Sequence, residues 1–572
     1  ASIVPFSVNR DNKEKLVIII GGRKELINKI NKDEIINKIN SCVLKYFEIT
    51  PYEVGFADIK DIPASDNGKI SIMAAARAYN EGKLSLIGST KDSEEEKIIS
   101  YNTKTQEVLG TIIKNDFSVK ATIDDNLLSL GMDSLQVVGL TNNIEKTFKV
   151  SVPVAFIFEN PTIINIAEYI DKSLAGEDLS TLEKDKSFLC DEVVLDESIR
   201  PAQYKTENPE MKNIFLTGTT GFVGAYLIRS LLSTTKGKIY CHVRAKSEEA
   251  GLQRIKDNME YYKVWKEEYL EHIVPVLGSL EKPLLGIDED KYKFLTENID
   301  IIYHNGAVLN FIYPYAKLKD ANVLGTVKTI ALACEGKPKF YNYISSYSVF
   351  DNPSYFNRTV SEDDELKECK GYYLSYSETK WVAENIIHIA RERGLRAAIY
   401  RPGEITGATD TGIWKLGDSV SRTIKAIIDT KSYPLIDMNM HMTQVDYIAD
   451  AIVNISKKGS AYGKAYNLLN SVKVPLKWLG EVINRSGYEA KPMDYEEWKE
   501  ILYKSGNEHP LKLLEALFKI TKKNREEELA FRYGAVEAHH ETSNADKALE
   551  GSGITCLPID EGLIRKYLKN FV

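Results

Sequence analysis

Tyr376 and Lys380 bracket the pentapeptide Tyr376-Ser377-Glu378-Thr379-Lys380, which leads into the run KWVAENIIHIARERG. Side chains at i and i+4 share one face of a helix, so the spacing predicts a phenol and an ammonium side by side. Such a pair suits proton delivery. Hydride added to a carbonyl carbon leaves an alkoxide that must be protonated, and a phenol of pKa about 10 serves poorly near neutral pH. A neighbouring ammonium favours the phenolate and lowers that pKa; Lys380 could also orient a nicotinamide ribose. Among 32 tyrosines the motif alone carries little weight. Its setting is more specific. The apolar run YNYI before it ends in Ser345-Ser346, where a hydroxyl can bond a substrate oxygen and steady developing charge. The run AAIY after it ends in Arg401-Pro402-Gly403.

A second constellation lies upstream. The run IFL leads into Thr217-Gly218-Thr219-Thr220-Gly221-Phe222-Val223-Gly224 and then into AYLIRSLL. Glycines at 218, 221 and 224 suit a tight turn, close backbone approach to a pyrophosphate, and close packing of helix on strand. The helix start supplies free N–H groups and a positive dipole end for phosphate. Thr217, Thr220, Phe222 and Val223 belong to the same expected dinucleotide turn. The next strand-like run, KIYCHV, ends in Arg244, with Lys246 beside it and Arg254 ten residues on. An acidic residue there would hold the free ribose hydroxyl of NAD(H) and repel a 2′-phosphate. Arginine instead forks onto phosphate, so NADP(H) is favoured.

These groups require an α/β frame. From residue 211, KNIFLTG, KIYCHVRA, IDIIYHNGA, KFYNYISS and RAAIYRPG alternate with helical stretches. That alternation implies a Rossmann-type doubly wound parallel sheet with helices on both faces. Its ligands bind outside the carboxyl ends of the strands, where all the residues above fall. Residues 1–88 read as a small α/β unit, and a polar break, STKDSEEEK, leads into about 80 residues of helical periodicity. The stretch 174–210 is linker-like.

At 572 residues the chain exceeds one core, and 43% hydrophobic with 27% charged residues is the balance of a soluble globular protein. The net charge of −8 argues against nucleic acid as the main partner. No apolar run approaches the roughly 20 residues that cross a bilayer, which argues against a membrane protein. The opening ASIVPFSVNRDNKEKL has no signal-peptide core. Cys42, Cys190, Cys241, Cys334, Cys369 and Cys556 show neither CxxC nor paired spacing. That usage predicts a reduced cytoplasmic protein with no disulfide frame and no zinc site. His539-His540 is too isolated to bind a metal ion.

The segments TGTTGFVGAYL, YCHVRA, HNGAVLNF, ANVLGT, YISSYSVF, YSETKWVAE and YRPGEITG, across nearly all of 211–572, resemble the extended short-chain dehydrogenases. They are most similar to the thioester reductase domains that terminate nonribosomal peptide and polyketide synthetases and carboxylic acid reductases. On that resemblance residues 187–572 form an NADP(H)-dependent reductase domain with Ser346, Tyr376 and Lys380 as its catalytic set. The resemblance further implies Ser279, Leu280, Asn305, Gly306, Ala307, Asn322 and Pro402 around the cofactor, with Asn322 also a candidate fourth catalytic member. The chain departs from the family at Ser279, in Val276-Leu277-Gly278-Ser279-Leu280, where an aspartate usually sits beside the adenine. Residues 413–572 would supply an acyl-binding subdomain, in which Asp446 reads as a capping carboxylate.

Within 95–175, Leu130-Gly131-Met132-Asp133-Ser134-Leu135 precedes an apolar-periodic stretch, and Asp and Ser suit a helix start there. Together with PVAFIFENPTIINIAEYI this region is similar to acyl and peptidyl carrier domains, four-helix bundles whose serine after the aspartate bears 4′-phosphopantetheine. Ser134 holds that position, which implies a phosphopantetheinyl transferase as partner. Residues 1–88 contain Ile62-Pro63-Ala64-Ser65-Asp66-Asn67-Gly68-Lys69-Ile70, which lacks the glycine and hydroxyl residue of a Walker loop. It resembles the last motif of adenylate-forming enzymes, with Lys69 as its lysine. That likeness implies the C-terminal subdomain of an adenylation domain and further, upstream synthetase domains as partners.

The expected reaction is reduction of a carrier-bound thioester by NADPH to an aldehyde, or onward to an alcohol. Two other readings stand beside it. Non-redox chain release on a carrier-docking platform is disfavoured because Tyr376 is retained. An NAD-dependent sugar-nucleotide epimerase or dehydratase is disfavoured by Arg244 and by the attached carrier.

Overall fold

The computed structural model describes the chain apart from residues 1, 11–12, 48–50, 65–69, 91–99, 118, 133, 178, 180–187, 312, 370, 373, 505–537 and 572. It forms two units, Ala1–Lys184 and Asp185–Val572.

In the first unit, Ser2–Arg10 and Lys13–Gly22 pair antiparallel, Glu53–Asp58 joins parallel, and Gly88–Ser89 completes the sheet. Val4, Phe6 and Val8 point inward while Ile3, Pro5 and Ser7 face out, the period of a half-buried strand. Helix Ile72–Asn80 is capped by Ser71, whose hydroxyl accepts from Ala74 N. Lys69 lies outside the described residues. Farther along, helices Lys104–Phe117, Ser134–Phe148, Val154–Glu159 and Ile163–Leu174 bury Leu109, Ile113, Val137, Ile144, Ile157, Ile166 and Ile170. The spacing of three and four residues explains one apolar face per helix. Ser134 opens the second of these helices.

The second unit carries seven strands: β1 (Asn213–Thr217), β2 (Lys238–Val243), β3 (Ile273–Leu277), β4 (Ile301–His304), β5 (Phe340–Ile344), β6 (Ala397–Pro402) and β7 (Ala465–Leu468). They lie in the order β7-β6-β5-β4-β1-β2-β3, every pair parallel. The sheet is buried on both faces. Along β1, Ile214 and Leu216 join one apolar core and Phe215 the other, as alternation across a strand requires. Strand order reverses between β1 and β4, and the crevice outside that switch point is where such sheets hold ligands.

The helices that position the site are α1 (Phe222–Thr234), α2 (Glu248–Tyr261), α3 (Tyr315–Asn322), α4 (Leu324–Cys334), α5 (Ser375–Glu392) and α6 (Val445–Ser456). An Arg229–Asp450 ion pair of 2.6 Å links α1 to α6. Asp446 accepts from Thr409 N at 3.0 Å, so it ties the loop after β6 to the first turn of α6 instead of capping that helix, whose N-cap Gln444 makes no side-chain bond. Near the end of the chain, Tyr567 donates to Gly407 O at 2.8 Å and ties the last helix, Glu561–Leu568, to the segment after β6.

One expectation is corrected. Cys190 and Cys369 form a disulfide with a Cα–Cα distance of 6.0 Å, across a sequence separation of 179 residues. The short helix Phe188–Asp191 packs beside α5, opposite the loop that precedes it. A pairing made by tertiary contact leaves no trace in local spacing, so the spacing of the cysteines carries no argument about compartment. Among the described residues, no helix is long and apolar enough to cross a membrane.

Candidate active site

The turn after β1 has the shape its glycines predict. Gly218 adopts φ +72°, and a Cβ there would meet Asn305 Nδ2 at 2.7 Å and Gly306 Cα at 2.9 Å. At Gly224 a Cβ would be driven into Gly218 O, so α1 can pack this closely only with glycine. A Cβ on Gly221 would meet only Gly218 O, at 3.3 Å, which leaves its other side open for approach. Gly221 caps α1 without a side-chain bond, so no side chain occupies the N–H groups of the first turn. The cradle therefore fits a dinucleotide pyrophosphate. Gly224→Ala is expected to weaken NADPH binding by about 1–3 kcal/mol, the cost of an overpacked contact. Titration of NADPH fluorescence checks it.

Not every residue of this turn faces the ligand side. Thr217 is fully buried; its hydroxyl accepts from Gly306 N at 2.8 Å and lies 2.8 Å from His304 Nδ1. His304 Nε2 in turn lies 3.1 Å from Thr326 Oγ1 on α4. Burial pushes the His304 imidazole down to about 3, so it braces the turn as a neutral ring. Phe222 packs on Tyr226 and Tyr262, while Thr220 and Val223 are half-buried.

At the end of β2, Thr219 Oγ1 donates to His242 O at 3.0 Å, which fixes the turn beside Arg244. Arg244, Lys246 and Arg254 are exposed, and Arg254 donates to the Arg244 carbonyl. The fold thus brings Arg254, ten residues on, back to the backbone of Arg244. After β3, Ser279 N donates to Leu285 O at 2.6 Å, and Lys328 Nζ holds the carbonyls of Leu280 and Glu281 at 2.9 and 3.0 Å. Leu280 packs where side chains on Gly306 or Gly325 would collide with it. After β4, Asn305 Nδ2 donates to Gly218 O at 3.3 Å, and Ala307 is exposed.

Lys380 and the serines meet at the end of β5. Lys380 is buried, its Nζ donating to Ile344 O at 2.8 Å, one residue before Ser345-Ser346. That ammonium lies 4.7 Å from the Tyr343 ring centre and 5.8 Å from the half-buried Tyr376 ring. Ser346 caps the short helix Tyr347–Phe350, and its Oγ accepts from Ser348 Oγ at 2.9 Å. Pro402 is buried at the end of β6.

The electrostatics differ from the simple proximity argument. Burial pushes the Tyr376 phenol up and Lys380 down to about 7, with Glu384 opposing the latter. Desolvation disfavours both charged forms, opposite to the lowering of the phenol expected from i, i+4 spacing. Tyr376 is therefore protonated at neutral pH, as an ordinary phenol is, and burial makes its phenolate harder to form.

Asn322 is buried, with its amide engaged on protein groups. Its Oδ1 accepts from Val308 N at 2.7 Å, and its Nδ2 donates to Val308 O at 3.0 Å and to Thr379 Oγ1 at 3.1 Å. Thr379 donates to Tyr376 O at 2.7 Å, so Asn322 couples the loop after β4 to the first turn of α5. Glu384 and Arg401, absent from the expected site, form a fully buried ion pair of 2.7 Å beneath it. Extending the Tyr376–Lys380 face by one more turn, to an acid on an otherwise apolar surface, would have found Glu384.

Two family profiles match the chain: one described as male sterility protein, an NAD-binding family, over 216–452, and one described as phosphopantetheine attachment site, over 106–170. A linear gramicidin synthase polypeptide of Brevibacillus parabrevis is 35% identical over 381 residues, covering 66% of this chain and 8% of that protein. The L-2-aminoadipate reductase large subunit of Candida glabrata is 33% identical, over 66% of this chain and 30% of its own length. The chain therefore spans less than a third of these two relatives. The solved terminal R domain from the myxalamid PKS-NRPS biosynthetic pathway superposes with a TM-score of 0.62 at 34% identity, over 68% of this chain and 97% of that domain. One-third identity along nearly a whole solved domain, with a phosphopantetheine-attachment segment ahead of it, places the chain in the family of terminal reductase domains of nonribosomal peptide synthetases.

Proposed function

We propose that this chain reduces a peptidyl or acyl thioester, presented on 4′-phosphopantetheine at Ser134 or on a neighbouring chain's carrier, to an aldehyde and a free thiol with NADPH. The observation that carries the reading is the Lys380 ammonium held against Ile344 O, between the Tyr376 ring and the Ser345-Ser346 strand end. In this reading 1–88 is an adenylation C-terminal subdomain, 95–175 the carrier and 187–572 the reductase. The separate sheet of the first ninety residues and the helical bundle after it support that division. A phosphopantetheinyl transferase and upstream synthetase domains are the partners such a chain requires.

Bound along the Gly218–Gly224 turn, the nicotinamide cofactor supplies hydride for the carbonyl carbon. The protein's share is to receive the charge that appears on oxygen. Ser346 Oγ donates a hydrogen bond to that oxygen, which strengthens as the charge develops. Tyr376 transfers its phenolic proton to the same oxygen, giving a hemithioacetal, and Lys380, when charged, stabilises the phenolate left behind. The C–S bond of the hemithioacetal then breaks, its hydroxyl proton passes to the departing sulfur, and aldehyde and thiol are released. Arg244, Lys246 and Arg254 hold the 2′-phosphate at the end of β2.

Two measurements test this. The protein is phosphopantetheinylated with an acyl-coenzyme A and given NADPH; the expected result is cofactor oxidation with release of aldehyde, or of alcohol after a second reduction. A loaded carrier that never oxidises NADPH overturns the reading in favour of non-redox release. Arg244→Ala is expected to weaken NADPH binding about 10- to 150-fold, the value of one charge-assisted hydrogen bond, and to leave NADH binding nearly unchanged.

A further inference from the structure

Glu384 stands one helical turn beyond Lys380 and two beyond Tyr376 on α5, and it is completely buried. Its Oε1 accepts from Ser345 Oγ and, at 3.2 Å, from Arg401 Nε. Its Oε2 accepts from Arg401 Nε at 3.1 Å and Nη2 at 2.7 Å. Arg401, equally buried on β6, also donates from Nη1 to Glu362 O at 3.3 Å and lies 4.9 Å from the Phe350 ring centre.

One ion pair therefore touches residues that adjoin several of the groups carrying the chemistry. Ser345 is the neighbour of Ser346, and Phe350 ends the short helix that Ser346 caps. Arg401 is the neighbour of Pro402, and Glu384 shares its helix face with Lys380 and Tyr376. A buried pair of this kind is poorly explained by stability alone, because well-packed apolar residues of similar volume often do as well or better. Its forked geometry, by contrast, fixes distances and angles between β5, β6 and α5.

We propose that Glu384 and Arg401 are positioning residues that set Ser346 through Ser345, and that Glu384 supplies the counter-charge facing the Lys380 ammonium. Around Lys380, Glu384 is the carboxylate whose charge opposes the loss of its proton, with Arg401 on β6 bonded to the same carboxylate and Glu378 buried on the preceding turn of α5. Tyr376 on α5 and Tyr343 on β5 are neutral phenols, and His304 on β4 is a neutral imidazole. Lys380 is desolvated, so without a carboxylate it would lose its proton more readily.

This rests on the reductase reading, and the test separates the two. The 572-residue chain loaded with an octanoyl thioester is assayed with NADPH across pH, wild type beside variants. A wild type without turnover sinks the reductase reading and this inference with it; once the wild type turns over, the inference is decided by the variants alone. Lys380 must carry its proton to act, so activity falls as pH rises through its pKa. Glu384→Gln is expected to move that alkaline limb to lower pH by about one unit. The double variant Glu384→Met/Arg401→Met removes the buried charges together and is expected to fold. Its kcat should fall about 100-fold through misplacement of Ser346, with NADPH affinity nearly unchanged. An unshifted limb in the single variant, or wild-type kcat in the double variant, overturns the assignment.

Discussion

Tyr376→Phe is expected to lower the rate of thioester reduction by about 10²- to 10⁴-fold, the usual worth of a positioned proton donor. Only the hydroxyl is removed. The ring stays half-buried on the same helix turn, and Thr379 still donates to the carbonyl of residue 376. The Gly218–Gly224 cradle and the cations at the end of β2 are untouched, so NADPH binding should be retained. Burial holds the phenol above its ordinary pKa, so donation depends on Lys380 to stabilise the phenolate as it forms. Single-turnover oxidation of NADPH by the acyl-loaded protein, with cofactor affinity measured in parallel, checks both halves. Near-normal turnover would remove Tyr376 from the chemistry and shift attention to Ser346 as the sole donor.

Ser134→Ala should abolish attachment of phosphopantetheine, and with it every reduction that depends on the chain's own carrier. The effect is all or none because no other residue of the helix start offers a hydroxyl at that position. Fold should be preserved, since the bundle core is built by Val137, Val138, Ile144 and their partners on the neighbouring helices. Intact-mass measurement after incubation with coenzyme A and a phosphopantetheinyl transferase reads the loss directly. Reduction of a thioester presented on a separate carrier protein should survive in this variant. Loss of that activity too would mean that Ser134 matters to the reductase unit in some way beyond carrying substrate.

Much of this was legible in the residues themselves. Alternating apolar runs and helical stretches determined a parallel sheet, because a strand buried on both faces and a helix with one apolar stripe have different periods. Gly218 and Gly224 determined the turn: a Cβ on Gly218, at its positive φ, would collide with Asn305 and Gly306, and one on Gly224 would be driven into Gly218 O. Arg244, Tyr376, Lys380 and Ser346 each sit at a strand end or on the helix that follows, positions set by local order along the chain.

Only the tertiary structure decided what lies between those positions. Asn322 proved to brace Val308 and Thr379, because its amide is enclosed by a loop and a helix that are neighbours only once folded. Cys190 met Cys369 across 179 residues, a distance over which spacing carries no signal. The i, i+4 argument placed Lys380 beside Tyr376 but gave the wrong sign for the phenol. Desolvation is a property of the packed core, and a helical wheel does not contain it. The same holds for Glu384 and Arg401, whose pairing needs β5, β6 and α5 assembled at once. Chemistry that depends on residue type and local spacing was written in the chain; charge state and bracing, which depend on what surrounds a group, were settled by the fold.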